Sequence, residues 1–159
     1  MSEGVEWALH TCLNLAWVED GQCVPTAVLA DYFQLPPAYL NKQMQALARS
    51  GIVSSVTGPR GGFQLARRLQ DITVLDVVVA IEGTEEAFQC TEILSHAPEA
   101  QQEADYRTTC VISQVMRKAE LSWRRELAGQ TLADVKATVE ARFPVVPAQT
   151  RRGLQRRRS

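Results

Sequence analysis

The sequence lacks the features that mark several protein classes. None of its apolar runs approaches the ~20 residues that a membrane helix needs, and residues 1–4 lack the basic-then-apolar pattern of a signal peptide. Cysteine is scarce, with four residues in a chain of 159, which is too few for a disulfide scaffold. The chain contains no P-loop, dinucleotide-binding or nucleophile–base motif. We therefore expect a cytoplasmic globular protein that is not an enzyme.

Acidic residues are absent from one long stretch of the chain. No Asp or Glu occurs between Asp31 and Asp71. The basic residues of this stretch are Lys42, Arg49, Arg60, Arg67 and Arg68. Residues 71–143, in contrast, contain thirteen acidic and seven basic side chains. A locally basic stretch on a chain of net charge −1 favours a confined anionic partner.

The first 50 residues show the apolar spacing of three helices. The first stripe comprises Val5, Leu9, Cys12, Leu13 and Ala16. Gly21 follows it as a helix terminator. The same periodicity predicts a second helix over 27–33 and a third over 38–49, with a Pro-Pro break between them.

A hairpin and a fourth helix follow. Residues 52–56 and 63–66 have strand character, and the Gly-rich segment 57–62 predicts the turn that joins them. The fourth helix is predicted over 73–82, where Thr73 and Asp76 resemble a capping box. The predicted fold class is therefore mainly α with a small β-hairpin wing.

The rest of the chain divides into three parts. Residues 84–110 lack periodicity and predict a long functional loop. Residues 111–143 predict a long helix over 111–127, with one apolar stripe, and a final helix over 131–141. Residues 144–159, with five arginines and no acid, predict a disordered basic tail that either attracts phosphates or is inert.

Three helices followed by a hairpin, over residues 1–83, are typical of a winged helix-turn-helix domain that binds double-stranded DNA. The third helix offers Tyr39, Asn41, Lys42 and Gln43, and the wing tip offers Arg60 and Gly61. Asn and Gln pair with adenine, and Lys reaches guanine or phosphate. The alternative is a small helical domain whose hairpin binds nothing.

The cysteines suggest a metal site without a zinc-ribbon pattern. Cys90 and Cys110 flank the long loop, and no C-x-x-C pair exists. Two thiolates are too few to hold an iron–sulfur cluster alone. Glu6 and His10, four residues apart, lie on one face of the first helix and can supply further ligands. The alternative for them is an ordinary surface pair. Cys12 and Cys23 are predicted to be non-ligands: the first lies on the apolar stripe, and the second has no nearby partner in the sequence.

Several segments resemble the Rrf-type winged-helix transcription regulators, the family of IscR and NsrR. The segments that carry the resemblance are Tyr39-Leu40, Ser50-Gly51-Ile52-Val53, Gly58-Pro59-Arg60-Gly61-Gly62-Phe63 and Ile72-Thr73-Val74-Leu75-Asp76-Val77-Val78. The resemblance covers about residues 4–140. The opening 4–10, Cys90-Thr91-Glu92-Ile93 and the helix start at Cys110 are similar to a redox-sensing branch that carries a [2Fe–2S] cluster.

The resemblance implies a homodimeric regulator, expected to be a repressor, whose operator affinity follows the redox state of the cluster. Cys90 and Cys110 would bind one iron, and Glu6 and His10 of the partner subunit would bind the other. From its position beside these ligands, Trp7 is predicted to transmit the change of state; packing in the core or in a dimer interface is the alternative. The helix over 111–127 would form the dimer contact, although an intramolecular core helix is the alternative. A nitric-oxide sensor or a cluster-free thiol sensor also remains open.

Overall fold

We describe the fold from a computed structural model, which covers residues 1–19, 22–58, 61–96 and 110–158. The chain divides into two compact units. The first comprises residues 1–83 and 128–159, and the second comprises residues 84–127. In the described part of the chain, no helix has the length and apolarity needed to cross a membrane.

The first unit begins with the three predicted helices. They are α1 (Glu3–Ala16), α2 (Thr26–Phe33) and α3 (Pro37–Arg49). Gln34 ends α2 in the left-handed conformation, which closes the last turn of a helix. Pro37 occupies the first turn of α3, where its fixed φ suits a helix start and no backbone donor is lost.

The predicted hairpin is also present. Strands β1 (Val53–Val56) and β2 (Gly62–Leu65) pair antiparallel, with Val56 opposite Gly62. A third segment joins them, because Val24 forms an isolated bridge with Phe63 through two backbone hydrogen bonds of 2.8 and 2.9 Å. This contact ties the loop before α2 to the wing.

Four more helices follow, and two of them begin with a capping box. The helices are α4 (Val74–Glu82), α5 (Val111–Ala128), α6 (Leu132–Arg142) and α7 (Val146–Arg156). Thr73 and Asp76 cap α4 as predicted, and Thr131 and Asp134 cap α6 in the same way. Thr73 and Thr131 also form a β-bridge, so the starts of α4 and α6 are joined.

The apolar core lies in the first unit, where α1–α4 pack with the wing, α6 and α7. Its largest fully buried side chains include Leu29, Leu40, Met44, Leu47, Ile52, Ile72, Leu132 and Leu154. Burial of a Leu or Ile side chain stabilises the fold by roughly 1.5–3 kcal/mol. The core therefore holds α3 and the wing in a fixed relation.

The prediction of a disordered tail over 144–159 is corrected by α7. This helix packs on α1, α2 and α6, and it buries Thr150 and Leu154, which lie one turn apart. The sequence analysis weighed the arginine content and missed this short apolar face. Charged side chains flank the face without preventing its burial, because their charged ends stay in water.

The second unit contains α5 and the described parts of the 84–110 loop. The loop includes a short 3-10 helix, Ile93–His96, while residues 97–109 lie outside the description. Arg124 of α5 donates to the backbone carbonyls of Thr84 and Glu85 and to the carboxylate of Glu120. These bonds attach the start of the loop to the helix.

Candidate functional site

The outward face of α3 carries polar side chains. Asn41 and Lys42 are exposed, and Tyr39 is half-buried near the helix start. Gln45 is also exposed, and it lies one turn after Asn41. The sequence analysis missed Gln45, although its i, i+4 spacing from Asn41 was the available signal. Amide and ammonium groups on one helical face can meet base edges and phosphates in a DNA groove.

Gln43 does not belong to this face. Its side chain is 7% exposed, and a Cβ added to Gly4 would lie 3.0 Å from its Nε2. The side chain therefore packs beneath α1, in the space that the glycine leaves. Gln43 is removed from the candidates that read DNA, because a side chain held inside the fold does not reach a base edge.

Gly61, at the end of the wing turn, lies close to the backbone of the preceding wing residues. Gly61 donates a 2.8 Å backbone hydrogen bond to Gly58, and a Cβ added at Gly61 would collide with the backbone oxygen of Val56. The turn therefore requires glycine at position 61, because a side chain there would clash with the wing backbone. Arg60, the predicted cation of the wing tip, lies outside the described residues.

Two cations of the acid-free stretch are neutralised where the stretch ends. Arg68 forms a 2.8 Å ion pair with Asp71, and Arg67 lies 3.8 Å from the carboxylate of Asp76. Arg67 thereby connects the segment after β2 to the start of α4, while Arg68 is paired within the segment itself. Lys42 and Arg49, both exposed on α3, therefore carry more of the positive charge of this stretch than the sequence count alone indicates.

The candidate ligands of α1 lie on an exposed face. Glu6 and His10 are exposed, and neither forms a hydrogen bond or ion pair with another described residue. Trp7 lies between them in sequence and is half-buried. Its ring packs edge-on against Phe33, with centroids 5.3 Å apart and an interplanar angle of 62°. The helix that presents Glu6 and His10 therefore contacts the end of α2 directly.

Cys12 and Cys23 have different environments. Cys12 is fully buried in the core, and burial raises the pKa of its thiol to about 12, because an apolar environment disfavours the thiolate. This agrees with its prediction as an apolar core residue. Cys23 is half-buried and donates to the side-chain oxygen of Gln64 over 3.6 Å, which places it beside β2.

Cys90 lies in a cleft of the second unit. The cleft has a volume of about 780 Å³, and its lining includes Phe88, Cys90, Ser113 and Arg117. Ser113 is 1% exposed, and its hydroxyl has no hydrogen-bond partner in the described structure. Removing a hydroxyl from water without a partner costs about 1–3 kcal/mol. The cleft thus contains a free thiol and a buried polar atom that lacks a partner.

Cys110 stands at the start of α5. Its carbonyl accepts the 3.0 Å hydrogen bond of Gln114, so it caps the helix one turn before Ser113. Cys110 and Cys90 belong to the same unit, and both thiols are free.

Within the described ranges, no group of three His, Cys, Asp or Glu side chains is placed to hold a metal ion. Glu6 and His10 belong to the first unit and the two cysteines to the second.

Comparison with known proteins identifies the fold and its relatives. Residues 1–138 match the family model Rrf2, described as an iron-dependent transcriptional regulator. The protein rrf2 of Nitratidesulfovibrio vulgaris is 33% identical over 123 residues, which cover 77% of each chain. The structure of IscR from T. potens aligns with a TM-score of 0.66 at 25% identity, covering 90% of both chains. CymR of B. subtilis, titled the global cysteine regulator, aligns with a TM-score of 0.62 at 18% identity over 87% of this chain and 96% of its own. The winged-helix fold predicted from the sequence is therefore confirmed.

Proposed function

The chain belongs to the Rrf2 family of transcriptional regulators, and from this premise we propose that a [2Fe–2S] cluster controls its binding to operator DNA. The pattern of its candidate ligands resembles the redox sensor RsrR within this family. The proposal has three parts: the surface that reads DNA, the dimer contact and the ligand set. The observation that carries the ligand set is the buried, unpartnered hydroxyl of Ser113 beside Cys90.

The DNA-reading surface is the exposed face of α3. Asn41 and Gln45 supply amides for adenine edges, and Lys42 supplies a cation for guanine or phosphate. Tyr39 lies at the start of the helix, where the first turn of a recognition helix approaches the bases. The wing, whose turn includes Gly61 and, by its place in the sequence, Arg60, extends this surface along the DNA backbone.

The dimer contact is α5. Its exposed apolar side chains are Val111 (70%), Ile112 (68%), Val115 (60%), Met116 (40%) and Leu121 (54%). At ~100° per residue, Val111, Ile112, Val115 and Met116 share one face of the helix, whereas Leu121 lies on the other side. A second copy of the chain covers the shared face, because burial of such side chains on both subunits is favourable. A two-fold dimer presents two copies of α3 to two half-sites of a near-palindromic operator.

The donor set fits a cluster of mixed ligation. Cys90 and Cys110 of one subunit, with Glu6 and His10 of the other, would hold it. A cluster of this kind supplies reversible one-electron chemistry, and imidazole ligation raises its reduction potential. Ser113 fits as the donor of a hydrogen bond to a sulfur at the site, since its hydroxyl is buried in the cleft of Cys90 without another partner.

Trp7 links the ligand helix to the DNA-reading domain. Its ring packs on Phe33, the last residue of α2, and α2 packs on α3. A change of charge beside Glu6 and His10 alters the packing of this indole, and the shift passes to the helix-turn-helix. Trp7 is therefore proposed as the switch residue.

Iron and acid-labile sulfide per chain, measured after purification without oxygen, test the ligand set. We expect about two of each per chain and the visible charge-transfer bands of a [2Fe–2S] cluster. Glu6→Ala and His10→Ala should lower the cluster content. Glu3→Ala, an exposed carboxylate on the same helix, is the matched control and should retain it.

DNA binding then tests the switch. Operator duplexes selected from a random-sequence pool are titrated with the oxidised and the reduced protein, and the oxidised form is expected to bind more tightly. Equal affinity of the two forms would contradict the redox switch and direct attention to nitric oxide as the signal. A protein without iron or sulfide, whose DNA binding follows the oxidation of Cys90 and Cys110, would replace the cluster by a thiol sensor.

A further inference from the structure

The outward face of α7 presents two arginines. Arg152 and Arg156 are exposed and one turn apart. At ~100° per residue, both lie on the side of the helix opposite Thr150 and Leu154, which are buried. The helix contains no acidic residue. The face therefore carries positive charge only.

The helix is firmly attached to α2. Arg157 forms a 2.7 Å ion pair with Asp31, and its guanidinium lies 5.5 Å from the ring centroid of Tyr32. The hydroxyl of Tyr32 lies 3.3 Å from that of Thr150. Gly153 allows the close approach, since an added Cβ would lie 2.7 Å from the Tyr32 ring. The inward side of α7 is thus matched to α2.

The end of α7 also reaches the base of the wing. Arg158 donates to the side chain of Gln22 and to the backbone carbonyl of Cys23. The next residue, Val24, is the one that pairs with Phe63 of β2. The α7 end therefore lies beside both the start of α2 and the wing. In helix-turn-helix proteins the first helix of the motif, here α2, crosses the DNA backbone.

The arginines of α7 differ in whether they have partners among the described residues. Arg157 and Arg158 bind within the fold, and Arg151 acts electrostatically on Glu140. In contrast, Arg152 and Arg156 form no hydrogen bond or ion pair with any described residue. Like charges four residues apart destabilise a helix. An external anion would remove this repulsion.

We propose that Arg152 and Arg156 bind backbone phosphates of the operator DNA, on the flank of the segment that α3 reads. The inference rests on the DNA-binding role proposed above and adds a second contact region to it. The partner is double-stranded DNA because the pair lies on the helix attached to α2 and the wing. The contact carries no base specificity, since phosphates are the same at every position.

The test uses the double variant Arg152→Gln/Arg156→Gln and a charge-preserving control, Arg152→Lys/Arg156→Lys. Each full-length protein is titrated with a labelled duplex selected from a random-sequence pool. The duplex is used in a core length and with an extension of about ten base pairs, one helical turn, on each side. Affinity is measured from low to high salt. The unfolding midpoint is recorded for each variant.

For the Gln variant we expect the slope of log affinity against log salt to become less negative by about 2 per subunit, because each lost phosphate contact accounts for ~0.9. Affinity at ~0.1 M salt should fall by roughly tenfold or more. The Gln variant should also bind the extended duplex no more tightly than the core duplex. The Lys control should behave as the wild type. The unfolding midpoint of the Gln variant should not fall, because a like-charge pair has been removed.

Two results would overturn the proposal, and they differ. If the Gln variant binds the extended duplex with the slope and affinity of the wild type, the contact by α7 is refuted while the DNA-reading role of α3 stands. If the wild-type protein retains no duplex from the pool, the proposed function fails, and the contact by α7 fails with it.

Discussion

Replacing Gly62 by alanine tests how the wing is held against the rest of the domain. Gly62 has a φ of +148°, and an added Cβ would collide with the backbone carbonyl of Val24 and lie 2.6 Å from the nitrogen of Pro25. These are backbone atoms, so no side-chain rotation relieves the clash. The segment must move away from β2, which breaks the two hydrogen bonds between Val24 and Phe63.

The expected cost follows from these contacts. Two backbone hydrogen bonds contribute about 2 kcal/mol, and a residue with a side chain in this conformation costs about 1–3 kcal/mol. The free energy of unfolding should therefore fall by about 3–5 kcal/mol. That is a large part of the ~5–15 kcal/mol that stabilises a typical domain.

Urea denaturation followed by circular dichroism measures the loss. Gly58→Ala is the matched control, because Gly58 also has a positive φ, +108°, but no described residue lies within 4 Å of its added Cβ. The control carries the conformational cost alone, so the difference between the two variants, about 2 kcal/mol, measures the pairing with Val24. Equal destabilisation of the two variants would refute the argument that this pairing holds the wing.

Three further predictions concern single side chains. Cys12 should resist alkylation by iodoacetamide at pH 8 in the folded protein and react only after unfolding, as mass spectrometry of digests would show, since burial raises its thiol pKa to about 12. Ser113→Ala should lower the reduction potential of a bound cluster in a spectroscopic redox titration, because a hydrogen bond to sulfur favours the reduced form; an unchanged potential, equal to that of Ser122→Ala, would contradict the role of the hydroxyl. The pKa of Glu140 is held below its ordinary value by hydrogen bonds from Lys136 and then Trp17, so its contribution to stability is present above about pH 5 and is lost as the pH falls through the lowered pKa. The stability difference between Glu140→Gln and the wild type should therefore shrink from pH 6 to pH 3 in thermal unfolding, and a constant difference would argue against this linkage.

The helices and the hairpin were predictable because their signals are local. The spacing of apolar residues along α3, the Pro and Gly residues that end elements, and the Thr73 capping box all act within a few residues. Burial of Gln43 was not predictable, because it depends on the gap left by Gly4 in a different helix. The bridge between Val24 and Phe63 is likewise a contact between distant segments.

The candidate site was predictable in part. Asn41 and Lys42 lie on an exposed face as the sequence indicates, while the roles of Glu6, His10, Cys90 and Cys110 remain predictions. Ser113 had no sequence signal, because a serine near a helix start is ordinary, and its lack of a partner appears only in the packed cleft. The folding of α7 was hidden by its arginines, since composition does not reveal a face of two or three buried residues.

The division of the chain into units has a consequence for its synthesis. The DNA-reading unit is built from residues 1–83 and 128–159, with the cysteine-bearing segment between them in sequence. Leu132 and Leu154, which complete its core, are synthesised last of these parts, about 2–10 s and about 4–14 s after residue 83 at ordinary elongation rates. During that interval the nascent chain exposes Cys90 and Cys110 while the core still lacks α6 and α7. Both thiols are therefore synthesised before the domain that reads DNA can complete its core.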